Sequence, residues 1–328
     1  MLEMLDEKQV EQVMKKVKTV VLKHSLSPGD VVVMTAAVES LKQCHPNLEI
    51  IVQTTCNSVW ENNPHVTVID IADDPPEEAI VIQMKYDMIN TSSQISSMFI
   101  QGFVDHISKN FVPIELKTNR PHLYLNDEEK GWINQIQEHH TQKDVPYWIV
   151  CSGTKTDFTA KRWGVENYQK VVDHFRGRIQ FVQIGEKDHL HDPLTGVISL
   201  VGDTDLRQLI RLAYSCQGGL GPITLLQHLC AAFEKPYFAL VGGREGTNWV
   251  SSYPKQTTFT SLGSLPCCKD NACWKSRVIA GEIGDGDKKD IEALCEYPIL
   301  GLKRPIPKCL AMIRPEEVCY AIERYLGA

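Results

Sequence analysis

The sequence predicts an α/β protein made of two successive Rossmann-like units, and three features carry that expectation. Short β-branched or apolar runs bounded by Pro, Asn, Asp or Gly alternate with amphipathic segments of helical length, the rhythm of a parallel sheet with crossover helices. That rhythm pauses in the polar segment from His139 to Asp144 and then restarts. A glycine-rich stretch, Tyr214 to Gly243, has the composition of a strand, an anion-binding turn and a helix in succession. A chain of 328 residues suits two domains of ordinary size better than a single core.

Taken in order, Asp6 to Val17 reads as a short amphipathic helix and Thr19 to Lys23 as the first strand. The loop Ser25 to Asp30 opens a helix ending near Cys44, and Glu49 to Thr54 is strand again. Val66 to Ile71 and Ala79 to Met84 are further strands; helices over Gln94 to Ser108 and Asn126 to His139 close this half. The second half begins with a buried strand from Pro146 to Ser152, a polar loop, and a helix from Val165 to Phe175. Ile179 to Ile184 follows as strand, then a helix from Thr204 to Tyr214 capped by Asp203 or Thr204. A short strand ending at Cys216 leads into a turn through Gly218, Gly219 and Gly221, then a helix from Pro222 to Phe233 and a strand from Pro236 to Val241. Pro222 suits the first position of a helix, and the free amides there, with the glycines before them, read as a diphosphate cradle. Residues Pro266 to Lys308 have little periodicity. The final helix, Glu316 to Tyr325, carries Val318, Ile322 and Leu326 at helical spacing and needs a partner surface.

Apolar content of 43% and charged content of 23% are those of a globular protein, and a net charge of −7 gives no general attraction to nucleic acid or anionic membrane. The charged N-terminus lacks the pattern of a secretory signal, and no apolar run approaches the roughly 20 residues that span a bilayer. The expected setting is cytoplasmic, with eleven cysteines mostly reduced. Six of them, Cys267, Cys268, Cys273, Cys295, Cys309 and Cys319, crowd the last quarter. Cys273, Cys295 and Cys309, with Cys268 favoured over Cys267, supply enough thiolates for a tetrahedral metal site that would order the irregular segment. Free buried thiols are the alternative, and Cys319 belongs to helix packing.

Several separated segments together resemble glycosyltransferase family 9, the ADP-heptose heptosyltransferases, whose fold is GT-B: two facing Rossmann-like domains. They are Ser27-Pro28-Gly29-Asp30 before a long helix, RPHLYLNDEEKGWI in mid-chain, Ala160-Lys161-Arg162-Trp163, Gly185-Glu186, and His228-Leu229-Cys230-Ala231-Ala232 ahead of Lys235-Pro236. The family's acidic turn shortly before the histidine is missing from QGGLGPITLLQ, which leaves Thr224 competing with His228 as phosphate or sugar ligand. The resemblance implies an acceptor-side domain over residues 1–142 and a nucleotide-sugar domain over 143–312, with a Cys-rich segment at 264–310. It also implies a terminal helix, 313–328, crossing back to the first domain.

The chemistry implied is inverting transfer of a sugar, heptose, from a nucleotide sugar, ADP-heptose, to a hydroxyl of a glycan, lipid or protein. Such transfer needs a base for the acceptor proton and cations or N–H dipoles for the departing diphosphate. Asp30 is the candidate base, its plain role being an N-cap. Lys161 is the candidate diphosphate counter-charge, with Thr154 on the same loop, and its plain role is a solvated surface charge. Glu186 is placed to bind ribose, Arg244 lies in the base-contacting loop, and Gly219, Gly221, Thr224 and His228 border the diphosphate. No catalytic divalent ion is implied. One group of the family, the autotransporter heptosyltransferases, carries cysteine-bound iron, so iron or zinc at the cysteines would be structural. A sugar-nucleotide epimerase or dehydrogenase is disfavoured, since no Gly-x-Gly-x-x-Gly follows the first strand and no Tyr-x-x-x-Lys pair is placed for hydride chemistry. A non-catalytic nucleotide-sugar-binding protein is the other alternative.

Overall fold

Two all-parallel sheets organise the chain in the computed structural model, which describes residues 17–86, 99–249, 253–281 and 293–327. The first contains β1 (Thr19–His24), β2 (Glu49–Thr54), β3 (Thr67–Ile69) and β4 (Ile80–Gln83) in the order β3-β2-β1-β4. Helix α1 (Pro28–Cys44) crosses from β1 to β2, and α2 (Phe99–Asn110) follows β4. Central β1 reads VVL without alternation because both of its faces are covered. The expected helix over Asp6 to Val17 and the start of that over Gln94 to Ser108 lie outside the described residues.

The connecting segment contains two short helices, α3 (Asp127–Gly131) and α4 (Gln135–His140), where one was expected. Asn134 breaks the run by capping the second: its side chain accepts from the amides of Ile136 and Gln137, and its amide donates to Tyr147 Oη at 3.2 Å.

The second sheet runs β10-β9-β8-β5-β6-β7, with β5 (Tyr147–Val150), β6 (Gln180–Gly185), β7 (Ile198–Val201), β8 (Gly218–Gly221), β9 (Tyr237–Gly242) and β10 (Gln256–Thr260). Its helices are α5 (Val165–His174), α6 (Leu206–Ser215), α7 (Leu225–Ala232), the short α8 (Lys308–Ala311) and α9 (Pro315–Leu326). Helix α6 is capped by Asp205, which accepts from Gln208 N at 2.7 Å, one or two residues later than expected.

The glycine stretch departs most from expectation. Residues Gly218–Gly221 form a buried central strand, not a turn, and α6 runs on to Ser215 where a strand was expected. The glycines admit large neighbours: a Cβ on Gly218 would lie 2.9 Å from Trp148, and one on Gly219 would lie 2.8 Å from Tyr237. Gly219 therefore serves core packing and cannot cradle a ligand.

Helix α9 also differs from expectation, because it stays on the second lobe. Val318, Cys319 and Ile322 pack with Trp148, Tyr168, Phe175 and Phe238, and Glu323 meets His174 and Arg178 of the α5 region. Leu326, the third residue of the expected apolar stripe, is exposed. Among the described residues no helix is long and apolar enough to cross a membrane.

Candidate active site between the sheets

A parallel sheet opens a crevice where its strand order reverses, outside the carboxyl ends of the strands. In the first sheet that point lies between β1 and β4, and in the second between β5 and β8. Four short segments therefore define the candidate site: Ser25–Asp30, Met84–Tyr86, Cys151–Lys161 and Pro222–Thr224.

Asp30 lies in the first turn of α1. The cap itself is Ser27, so the dull role foreseen for Asp30 is corrected: it is the acid of a capping box rather than the N-cap. Its Oδ2 accepts from Ser27 Oγ at 2.6 Å and Ser27 N at 3.2 Å, and its Oδ1 accepts from Tyr86 Oη at 2.7 Å. Burial and the Asp30 charge push the Tyr86 phenol well above its usual range, so it remains a donor. The Tyr86 ring meets Phe99 and Phe103 edge-on, and Phe99 stacks at 4.4 Å on Trp249 of the second lobe.

Lys161 ends a short 3-10 turn over Thr159–Lys161. Its Nζ donates to Ile223 O at 2.7 Å and lies 3.1 Å from Glu245 Oε1, rather than being solvated at the surface. Burial pulls the ammonium below its usual pKa; Glu245 opposes that, and the charge of Asp30 reaches far enough to oppose it too. Asp30 stands in the first turn of α1 and Lys161 is bonded to Ile223 just ahead of α7, so both border the gap between the lobes. Across that gap α1 and α7 nearly touch at their N-termini, where a Cβ on Gly29 would lie 3.7 Å from Leu225 Cα.

Thr224 is the N-cap of α7 without a side-chain capping bond. Its Oγ1 is buried within reach of the Cys151 thiol and the Tyr237 phenol, and Thr154 Oγ1 is buried with no hydrogen-bond partner among the described residues. Buried hydroxyls without partners are exceptional in a finished interior and mark places where a ligand can complete the bonding. Gly221 ends β8 against Cys151 O, where a Cβ would lie 2.8 Å from it, so close packing explains its lack of a side chain.

His228 lies within α7 and is almost fully buried. Its Nδ1 is 3.0 Å from Tyr253 Oη, and its ring packs edge-on to Phe99. Burial, then Lys161, push its pKa down to about 3, so it is a neutral packing group between the lobes. Arg244 is turned inward: Nε donates to Lys275 O at 2.6 Å, the guanidinium pairs with Glu245, and its charge lies over the rings of Phe158 and Trp274. Its observed partners are those of a support for Glu245.

Glu186 follows β6 at the carboxyl edge of the second sheet. Beside it His191 lodges between the loop after β5 and the end of β6, where a Cβ on Gly153 or Gly185 would clash with its ring atoms; its Nδ1 has no partner among the described residues, and burial pushes its pKa down to about 4. Sequence reasoning missed Tyr86, Trp249 and His191. A tyrosine two residues beyond a predicted strand end was the available signal for the first, since strand ends line the cleft.

The cysteines converge, with one exchange of partner. Cys267, Cys273, Cys295 and Cys309 line one small pocket with Arg244 and Glu296. Cys268 is not part of that lining: its Sγ is buried beneath Gly243 with Ser261 O at 3.9 Å, yet its charge reaches Cys267, Cys273 and Cys309. Burial and neighbouring thiols push Cys267 up to about 12, and burial pushes Cys309 up to about 11. Four sulfurs are a donor set suited to a soft metal, although among the described residues no group of three or more potential ligands is assembled at metal-binding geometry.

Comparison with known proteins agrees with this architecture. The profile of glycosyltransferase family 9 (heptosyltransferase) matches residues 82–275. No curated protein sequence matches significantly. Among solved structures, a family 9 glycosyl transferase from Veillonella parvula is similar at TM-score 0.65 and 16% identity, covering 94% of this chain and 96% of that one. The ADP-heptose LPS heptosyltransferase II of E. coli gives TM-score 0.58 at 15% identity, covering 93% and 98%. TibC of enterotoxigenic E. coli, an iron-containing dodecameric heptosyltransferase in complex with ADP-D-β-D-heptose, gives 0.58 at 14%, covering 94% and 76%. At these identities the likenesses establish the fold, which is of the GT-B type.

Proposed function

This chain belongs to glycosyltransferase family 9, and from that premise we propose that it transfers heptose from ADP-heptose to an acceptor hydroxyl with inversion at the anomeric carbon. The observation that carries the proposal is that Asp30 and Lys161 lie at the closely approaching N-termini of α1 and α7, between the two switch points. Asp30 takes the proton of the acceptor hydroxyl as its oxygen attacks the anomeric carbon. The bond to the diphosphate oxygen breaks on the opposite face, which inverts the centre.

Lys161, the Thr224 hydroxyl and the free amides opening α7 receive the departing charge; Thr154 and Glu186 complete the donor edge. Hydrogen bonds from Ser27 and Tyr86 aim the Asp30 carboxylate. Ser27 occupies both lone pairs of Oδ2, whereas Oδ1 accepts only from Tyr86 and keeps a lone pair for the proton. Gly219 and His228 drop out as ligands in this reading, and Arg244 acts through Glu245. A structural iron or zinc ion belongs with Cys267, Cys273, Cys295 and Cys309, and a reducing, cytoplasmic setting suits eleven free cysteines.

The test is Asp30→Asn. Sugar transfer from ADP-heptose should fall by roughly three orders of magnitude while ADP still raises the melting temperature. Near-full transfer would remove Asp30 as the base. Wild-type protein that binds ADP-sugars and neither transfers nor hydrolyses them would instead be a nucleotide-sugar-binding protein.

A further inference from the structure

Without any ligand, the ammonium of Lys161 is already neutralised by a carboxylate of its own chain. Glu245 is 2% exposed, its Oε1 lies 3.1 Å from Lys161 Nζ, and the same oxygen pairs with Arg244. Arg244 is anchored from behind by Lys275 O and flanked by the rings of Phe158 and Trp274, so it keeps its place whatever Lys161 does. Burial pushes Glu245 up, but the charges of Arg244 and Lys161 outweigh it and hold the carboxyl below its ordinary value. A buried anion therefore stands where the diphosphate of a nucleotide sugar would have to pair.

We propose that Glu245 is an internal counter-ion, displaced from Lys161 by the donor's diphosphate and returning to it when the leaving nucleoside diphosphate departs. This deepens the proposed function and rests on its assignment of Lys161 to the diphosphate. Two physical needs meet in one side chain. A buried ammonium left bare between turnovers carries a large desolvation penalty, and a carboxylate at hydrogen-bond range relieves it. A leaving group that Lys161 held without competition would be released slowly, and Glu245 supplies the competition. Because Arg244 stays paired with Glu245, giving up Lys161 does not strand a second buried charge.

The proposal predicts an effect opposite to that of losing a ligand-binding residue. Removing the Glu245 charge leaves two cations facing the gap with no buried anion between them, so phosphoryl anions should bind more tightly.

Isothermal titration of inorganic pyrophosphate, ADP and adenosine into wild type, Glu245→Gln and Lys161→Ala tests this. Glu245→Gln should bind pyrophosphate and ADP about tenfold more tightly with adenosine unchanged, and its kcat and donor KM should both fall as product release slows. Lys161→Ala should weaken pyrophosphate by about tenfold or more. Loss of pyrophosphate binding in Lys161→Ala, together with unchanged or weaker binding in Glu245→Gln, overturns the counter-ion role and leaves Lys161 as the diphosphate residue. Wild-type affinity in Lys161→Ala overturns the diphosphate assignment itself. Should Glu245→Gln not fold, Glu245→Asp carries the test: its shorter arm withdraws the charge from Lys161, so pyrophosphate should bind about threefold more tightly. Wild-type or weaker binding there overturns the proposal.

Discussion

Tyr86 is the residue whose contribution can be separated most cleanly from folding. Its hydroxyl touches the proposed base, while its ring packs on Phe99, Phe103 and Trp249. Tyr86→Phe removes the first and keeps the second. We expect kcat to fall roughly tenfold, since an aimed carboxylate is worth one to two hydrogen-bond energies in the transition state, with donor KM and melting temperature near wild type. A variant with unchanged kcat would show that Ser27 alone aims Asp30. The sequence announced Asp30 and Lys161 through motifs, but it could not announce Tyr86. Nothing in its neighbourhood is periodic or repeated, and its role arises only when the end of β4 comes beside the end of β1. The same limit hid His191, whose place depends on two glycines brought together by adjacent strands, Gly153 just beyond β5 and Gly185 at the end of β6.

Among the elements, most strands buried on both faces were legible, as were the edges of the first sheet, β3 and β4, but not the edges of the second. The apolar runs of β1, β5 and β9 identified themselves, whereas β7 and β10 are half-exposed edge strands with little apolar pattern. Strand β8 misled because glycine signals a turn as readily as it signals close packing, and only the positions of Trp148 and Tyr237 decide between the two.

The Cys-rich segment was legible as a cluster but not in its detail, because Cys267 and Cys268 are neighbours on a short 3-10 turn over Pro266–Cys268 and only Cys267 lines the pocket. That detail gives a discriminating experiment. Protein purified without chelator should hold about one iron or zinc ion per chain, and removing the ion should lower the melting temperature. Cys267→Ser should lose the ion, whereas Cys268→Ser should keep it. Equal metal content in Cys267→Ser and wild type, or none in any preparation, would leave the four thiols as packing groups.

At the scale of the whole molecule, the two lobes are joined by more than their connecting segment. Arg207, on α6 of the second lobe, donates to Ser58 O of the first lobe at 3.0 Å and to Tyr124 O at 2.7 Å. Both Glu129 oxygens accept from it at 2.6 Å. Arg120 makes a second tie, to Ala232 O at 2.7 Å beyond the end of the apolar face of α7. These ties hold the two lobes together, and the proposed joint action of Asp30 and Lys161 depends on that alignment.

Glu129 is nearly buried. Burial pushes its carboxyl up, but Arg207 and the Asn126 amide outweigh that and hold it below the ordinary value. A depressed carboxyl contributes stability that is present above its unfolded pKa and lost as pH falls through the folded one, so acid should loosen this tie first from the Glu129 side.

Removing the other partner at neutral pH leaves the Glu129 charge buried and unpaired, and Arg207→Met should therefore cost roughly 3 kcal/mol in urea unfolding. The double variant Arg207→Met/Glu129→Leu should recover much of that loss, because no uncompensated charge remains. Activity should separate the two effects: both variants lose the tie that aligns the lobes, so both should transfer sugar more slowly even where stability returns. If the double variant recovered full activity together with its stability, the ion pair would be a local brace, and the alignment of the two sheets would have to come from the packing of α1 on α7 and the Arg120 tie.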